Sequence, residues 1–122
     1  MSQQAVEIQS FAKGLHEMLV LRAIRDGPRH GYQIALDVEQ QTDGLFVLQH
    51  GTLYPILHRL ETDRLIVGKW DEAAGRRRKT YRLTAAGRQR LSAESGRVRQ
   101  VLDTVLRYTG GGQEDDAISS VS

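Results

Sequence analysis

Residues 49–64 read QHGTLYPILHRLETDR, and this stretch decides the fold. Its apolar residues recur at positions i, i+3, i+4 and i+7, the spacing that aligns side chains along one face of a helix. We therefore predict a helix over residues 51–64 that packs against a core through this apolar stripe. The stripe consists of Leu53, Ile56, Leu57 and Leu60.

The opposite face of this helix carries hydrogen-bonding and flat side chains, which suit base edges and phosphates in the major groove of double-stranded DNA. The alternative is an ordinary solvated helix face. Pro55 is tolerated in a first turn, so Gly51 or Thr52 is the predicted N-cap. A start at Gln49 would instead predict a bend at Pro55. The outward face presents Thr52, Tyr54, Pro55, His58, Arg59 and Thr62.

Length and composition narrow the classes of function. The chain has 122 residues and no cysteine, which indicates one domain, excludes disulfides and thiolate sites, and predicts a cytoplasmic location. No apolar run approaches the ~20 residues of a membrane span, so no membrane partner is predicted. The formal charge is +2, but without the three acids at 114–116 the chain has 17 basic and 12 acidic residues, a charge of +5. Such a balance favours polyanionic partners.

The other elements follow in an order that predicts a winged helix-turn-helix. Residues 11–25 are apolar on most sides, which indicates a helix buried on most sides, and residues 31–41 form a second helix. Residues 45–48 are an apolar run of strand length. After the 51–64 helix, residues 65–83 alternate as a β-hairpin with a charged tip. We predict a mainly α fold with a small β-hairpin that serves as the wing.

A last helix is predicted over residues 85–107, with Thr84 as its N-cap. Its apolar stripe is narrow and includes a series spaced by seven, which is typical of a helix that packs on a partner helix or on its own symmetry copy. The first helix also needs cover in so short a chain, so we predict a homodimer. The predicted dimer interface consists of Phe11, Leu15, Leu91, Val98, Val101, Leu102 and Val105.

These elements divide the chain into three predicted parts. Residues 1–83 form the winged helix-turn-helix DNA-binding domain, of which residues 1–10 are a flexible arm. Residues 84–109 form the dimerisation helix. The Gly/Ser-rich and acidic residues 110–122 are a predicted disordered tail.

A run of four cations lies in the hairpin. Like charges this close repel each other, so a phosphate partner nearby is favourable. The alternative is a solubilising hairpin tip. We predict that the run contacts DNA, and its members are Arg76, Arg77, Arg78 and Lys79.

No catalytic, metal or cofactor site is predicted. His50 and His58 would lie about 12 Å apart along one helix, too far to share a metal ion. No Ser–His–Asp, paired-carboxylate or phosphate-loop arrangement appears, so the protein is not expected to be an enzyme. Trp70, Tyr108 and Phe11 raise the alternative of a pocket for a small aromatic or drug-like effector at a dimer interface, although we favour simple packing for these rings.

A series of short motifs stands in a fixed order between about residues 14 and 90. They are Leu19-Val20-Leu21, Asp26-Gly27-Pro28, His30-Gly31-Tyr32, Gly51-Thr52-Leu53-Tyr54-Pro55, Leu57-His58-Arg59-Leu60-Glu61, Gly75-Arg76-Arg77-Arg78-Lys79 with Tyr81, and Leu83-Thr84 with Gly87. In this order and spacing they resemble the PadR family of bacterial transcriptional regulators, in its short branch with a single C-terminal helix. The resemblance implies a winged-helix homodimer that binds an imperfect palindrome in a promoter, usually as a repressor, and that a small effector releases in some members.

The predicted function is therefore sequence-specific DNA binding by a homodimeric transcriptional repressor. The alternative is a winged-helix adaptor that binds proteins without binding DNA. Many members of the family have a serine or an acidic residue where this chain has Gln49-His50 before the Gly-Thr pair. The predicted DNA contacts are Tyr32, Gln33, Gln49, His50, Gly51, Thr52, Tyr54, Pro55, His58, Arg59, Arg76, Arg77, Arg78 and Lys79.

Overall fold

The computed structural model describes residues 8–72, 75 and 77–111. These residues form four helices and a three-stranded antiparallel sheet, in the chain order α1 (Ile8–Ala23), β1 (Arg29–His30), α2 (Gly31–Gln41), α3 (His50–Thr62), β2 (Ile66–Asp71), β3 (Arg78–Leu83) and α4 (Ala85–Thr109). The strand order in the sheet is β1-β3-β2. This architecture confirms the predicted mainly α fold with a small hairpin.

The core forms where the apolar stripes of α1, α2 and α3 meet. The four predicted α3 residues, Leu53 to Leu60, are all buried, as are Ile34 and Val38 of α2. Val20 and Leu21 of α1, and Ile24 directly after its end, have almost no exposed surface. Because burial of these side chains is the main stabilising term, it fixes which face of α3 points outward.

The hairpin of β2 and β3 gains a third strand that the sequence did not predict. Arg29 and His30 pair with Tyr81 and Thr80, on the side of β3 opposite β2. The Arg29 side chain also donates to the carbonyl of Ala23 at 2.7 Å, which ties β1 to the end of α1. A strand of two residues has no alternation to detect, so only its partner on β3, some fifty residues later, defines it.

The start of α3 differs from the prediction. Its N-cap is Gln49, not Gly51 or Thr52, and the backbone N–H groups of Thr52 and Leu53 bond the Gln49 carbonyl. Pro55 therefore lies inside the helix, where its ring leaves the carbonyl four residues earlier without an N–H donor. That carbonyl belongs to Gly51, which is exposed, so water can replace the lost bond. The bend expected for this early start stays a prediction.

The apolar run 45–48 is a loop and not a strand. Leu45 and Val47 are exposed, whereas Leu48 is buried and Phe46 packs against the core. The Thr42 hydroxyl accepts a hydrogen bond from the Phe46 N–H at 3.2 Å and so holds the loop close to the end of α2. The run serves as an anchored connection before α3.

Helix α4 begins as predicted, with Thr84 as N-cap accepting a bond from the Gly87 N–H at 3.0 Å. Gly110, in the left-handed region at φ 75°, follows its last turn. Leu91 packs in the core of the chain itself and is only 7% exposed, which leaves little of it for the dimer contact predicted above. The second half of α4 exposes Leu102, Val105 and Leu106.

Parts of the predicted domain division lie outside the described residues. These are most of the arm at 1–10 and most of the tail at 110–122; residues 8–10 belong to α1. None of the helices in the described part of the chain is both long and apolar enough to cross a membrane.

Candidate nucleic-acid interface

The outward face of α3 is the centre of the candidate site. Thr52, Pro55, His58 and Thr62 are exposed on it, and Tyr54 keeps 37% of its surface exposed. The buried apolar stripe on the other side holds this face in place. A helix with exposed hydroxyl, imidazole and phenol groups carries both donors and acceptors for base edges.

Tyr54 bridges α3 and the start of α2. Its ring lies 4.3 Å from the His50 ring, and its hydroxyl lies above Gly31, the first residue of α2. A Cβ atom at Gly31 would lie 2.5 Å from the Tyr54 hydroxyl. Gly31 in the His30-Gly31-Tyr32 motif therefore provides the room that the Tyr54 ring occupies.

This close approach makes Gly31→Ala a test of Tyr54. The added methyl group should force the Tyr54 ring aside, and we expect about a tenfold loss of affinity for the specific DNA site, within the range for one base-edge contact. Affinity for a scrambled duplex should change little. The control is Gly27→Ala, since a Cβ there meets nothing within 4 Å. Equal affinities of Gly31→Ala and wild type in an anisotropy titration would contradict the role of Tyr54.

A groove of about 790 Å³ separates α3 from the wing. The start of α2, the exposed side of α3 and one face of the β2–β3 hairpin form its walls. Aromatic and cationic groups dominate the lining, a combination that suits the sugar-phosphate backbone of a nucleic acid. The lining residues are His30, Gly31, Tyr32, Tyr54, His58, Glu61, Trp70, Arg77, Arg78, Lys79 and Tyr81.

The wing presents Arg77 and Arg78 to solvent. The Arg77 guanidinium lies 4.5 Å from the centre of the Trp70 ring, a cation–π contact that orders a side chain at the hairpin tip. Trp70 itself is 52% exposed. Arg76, the fourth predicted cation, lies outside the described residues.

Lys79 differs from its neighbours because it is partly neutralised. Its ammonium donates to the Glu61 carboxylate at 2.9 Å, and this bond raises the pKa of Lys79 above its ordinary value. A Cβ atom at Gly68 would collide with the Lys79 side chain, so the glycine makes room for the pair. Below them Tyr81 is buried, and burial raises the pKa of its hydroxyl. Lys79 thus ties the wing to α3.

Arg59 is also paired, on the other flank of α3. Its Nε and Nη2 atoms donate to Oε2 of Glu17 at 3.0 and 2.9 Å, and its side chain is only 33% exposed. The sequence placed Arg59 among the DNA contacts, whereas its guanidinium is turned towards α1. Glu17 lies 42 residues earlier in the chain, so no local spacing signals this pair.

The remaining predicted contacts differ in how exposed their side chains are and in whether they are bonded within the chain. Tyr32 is 67% exposed at the start of α2, and Gln49 and His50 are exposed at the start of α3. The Gln33 side chain already has a partner within the chain, because its oxygen accepts a hydrogen bond from the backbone N–H of His30 at 2.9 Å. Among the groove residues that the sequence missed, His30 has a signal in its motif, since it immediately precedes Gly31.

Trp70 and Tyr108, the two rings proposed for an effector pocket, lie on different surfaces of the chain. Trp70 lines the groove beside α3, whereas Tyr108 is 92% exposed on α4 and does not line that groove. Phe11 is half-buried on α1. An effector pocket between two subunits therefore stays a prediction.

Comparison with known proteins agrees with this geometry. The model of the transcriptional regulator PadR-like family matches residues 20–93, which include the end of α1, all of α2 and α3, the sheet and the start of α4. The chain is 35% identical over 111 residues to the Mycobacterium tuberculosis protein named transcriptional regulator Rv3488, covering 91% of this chain and 94% of that one.

Solved structures share the fold. A transcriptional regulator from Clostridium thermocellum superposes with a TM-score of 0.74 at 24% identity, over 81% of this chain and 97% of that one. A PadR-like transcription factor from Bacteroides fragilis superposes with a TM-score of 0.68 at 27% identity, over 82% of this chain and 95% of that one. These structures share the fold, and the family match together with the 35% identical relative shows that the protein is a DNA-binding transcriptional regulator of the PadR-like family, and not an enzyme.

Proposed function

We propose that the protein is a homodimeric transcriptional repressor that sets one α3 per subunit into successive major grooves of a palindromic promoter site. The observation that carries the proposal is the exposed polar face of α3 beside the cationic wing, with the groove of about 790 Å³ between them. A helix in the major groove reads bases, and flanking cations neutralise phosphates. The α3 residues proposed to read bases and the wing cations proposed to neutralise phosphates lie on the same side of the molecule, around this groove.

The surface of α4 supports the dimer. Leu102 and Val105 are each 50% exposed and Leu106 is 42% exposed, so the second half of α4 carries an apolar stripe without cover in a single chain. A second α4 related by twofold symmetry would cover it. Twofold symmetry in the protein then requires twofold symmetry in the site, with half-sites roughly 34–36 Å apart.

Repression follows from occupancy, because a dimer across two turns of promoter DNA competes with polymerase for the same surface. For release, the proposal includes a small aromatic effector. Trp70 and Tyr108 are exposed and offer aromatic faces on which such an effector can stack.

The test is selection of binding sites from a pool of random duplexes by the purified full chain. We expect an enriched motif with twofold symmetry and with half-site centres about 10–10.5 base pairs apart. A single asymmetric motif would contradict the dimeric arrangement. No enrichment by a folded protein would contradict DNA recognition and favour a protein-binding adaptor.

Arg77→Ala tests the wing. Removing one phosphate contact should lower the affinity for the specific and the scrambled duplex by the same factor. It should also lower the slope of log affinity against log salt by about 0.9. The control is Arg82→Ala, which removes the same charge from β3 at an exposed position that does not line the groove. Anisotropy titrations between 50 and 200 mM salt give the salt slopes of both variants. A slope for Arg77→Ala equal to that of wild type would exclude the wing from contact with DNA phosphates.

A further inference from the structure

Glu17 is the one charged residue that is buried within the described part of the chain, with 7% of its surface exposed. Its carboxylate joins three helices. On one side Oε2 accepts the two bonds from Arg59 of α3, and on the other Oε1 lies 3.5 Å from Nη1 of Arg90 of α4. A single side chain of α1 thus connects the recognition helix to the helix proposed for dimerisation.

The pairing also changes the charge that α3 shows to a duplex. Arg59 follows His58, which lines the groove, so an unpaired guanidinium at this position would lie within reach of a phosphate on the flank of the helix. Such a contact adds affinity for any sequence and no discrimination between sequences. The two short bonds to Glu17 hold the guanidinium against α1 instead.

We propose that Glu17 is a positioning residue for DNA recognition, which withholds Arg59 from the phosphate backbone and so limits sequence-independent binding. The inference rests on the proposed function of α3. A charge-assisted pair with a mostly buried carboxylate is stronger than an exposed pair, because its partners are shielded from water. A phosphate at the solvated surface competes poorly with such a partner, so Arg59 stays with Glu17 in the DNA complex.

Two neutral variants test the two halves of this inference. Glu17→Gln keeps the shape of the side chain but releases the arginine, so affinity for a scrambled duplex should rise about eightfold at 0.1 M salt and the salt slope should steepen by about 0.9 per released cation. The ratio of specific to scrambled affinity should fall. Arg59→Gln removes the cation while Arg90 remains 3.5 Å from Glu17, and its salt slope should equal that of wild type.

The control for net charge is Asp26→Asn. Asp26 is an exposed carboxylate paired with Arg22 at 3.2 Å, away from the groove, so removing its charge should leave the salt slope unchanged. The double variant Glu17→Gln/Arg59→Gln should return the salt slope to the wild-type value, or exceed it only by the contribution of Arg90, which also loses its partner Glu17.

Two results would overturn the inference. One is a slope for Arg59→Gln that is lower by about 0.9, since Arg59 would then contact a phosphate in the wild-type complex. The other is an unchanged slope and affinity ratio for a folded Glu17→Gln. If Glu17→Gln does not fold, Arg59→Gln decides alone. Failure of the proposed function is distinct, because the wild-type chain would then select no specific site.

Discussion

Val105→Asp should convert the protein to monomers and weaken binding to the full operator by about 10²–10⁴-fold, the gain that linking two half-site contacts can supply. Val105 is half-exposed in the apolar stripe of α4, and the proposed interface would bury it. A carboxylate buried there without a partner opposes association strongly. Sedimentation equilibrium gives the oligomeric state, and anisotropy with a full and a half operator gives the loss.

The matched control for Val105→Asp is Gln100→Asp. Gln100 is exposed on the opposite side of the same helix, so this variant adds the same charge outside the stripe. We expect it to remain dimeric and to bind the operator within a few-fold of wild type. A Val105→Asp protein that sediments as a dimer would refute the interface on α4.

Gly87→Ala should cost about 1–3 kcal/mol of folding free energy, the range for overpacking a core. A Cβ atom at Gly87 would collide with the carbonyl oxygen of Leu65 and with the Leu83 side chain. The Leu65 carbonyl already accepts bonds from the backbone and the hydroxyl of Thr84, so it cannot move without loss. Thermal and urea unfolding at equal protein concentration should show a Tm several degrees lower.

Gly96→Ala in the same helix is the internal control for Gly87→Ala. Its added Cβ meets nothing within 4 Å, so only the backbone preference for alanine over glycine remains. We expect a gain of roughly 0.5–1 kcal/mol. The same chemical change should therefore have opposite signs at two positions of α4. A neutral Gly87→Ala would mean that α4 does not pack against the Leu65 backbone as closely as described.

The sequence predicted correctly those helices and caps that are determined by residues close to them in the chain. The bounds of α2, Gly31–Gln41, follow from flanking turn residues and an apolar stripe, and Thr84 was identified as the cap of α4. The buried stripe of α3 was also correct. In each case the residues that determine the element lie within about one helix of each other.

Features set by distant residues were not predicted. Strand β1 exists because Arg29 and His30 meet β3, and Arg59 points inward because Glu17 is buried on α1. Leu91 repeats with the α4 stripe, yet it is buried in the core of the same chain. Helical periodicity identifies an apolar face but does not say whether the chain itself or a second copy covers each residue.

In the proposed dimer the outward face of each α3 enters one of two successive major grooves. The most direct measurement is dimethyl sulfate interference on a selected operator, because methylation of guanine N7 blocks the major groove only. We expect interference at guanines in two clusters about one helical turn apart and on one face of the duplex. Interference in a single cluster, or unimpaired binding to fully methylated guanines with loss only at methylated adenine N3 in the minor groove, would contradict the claim.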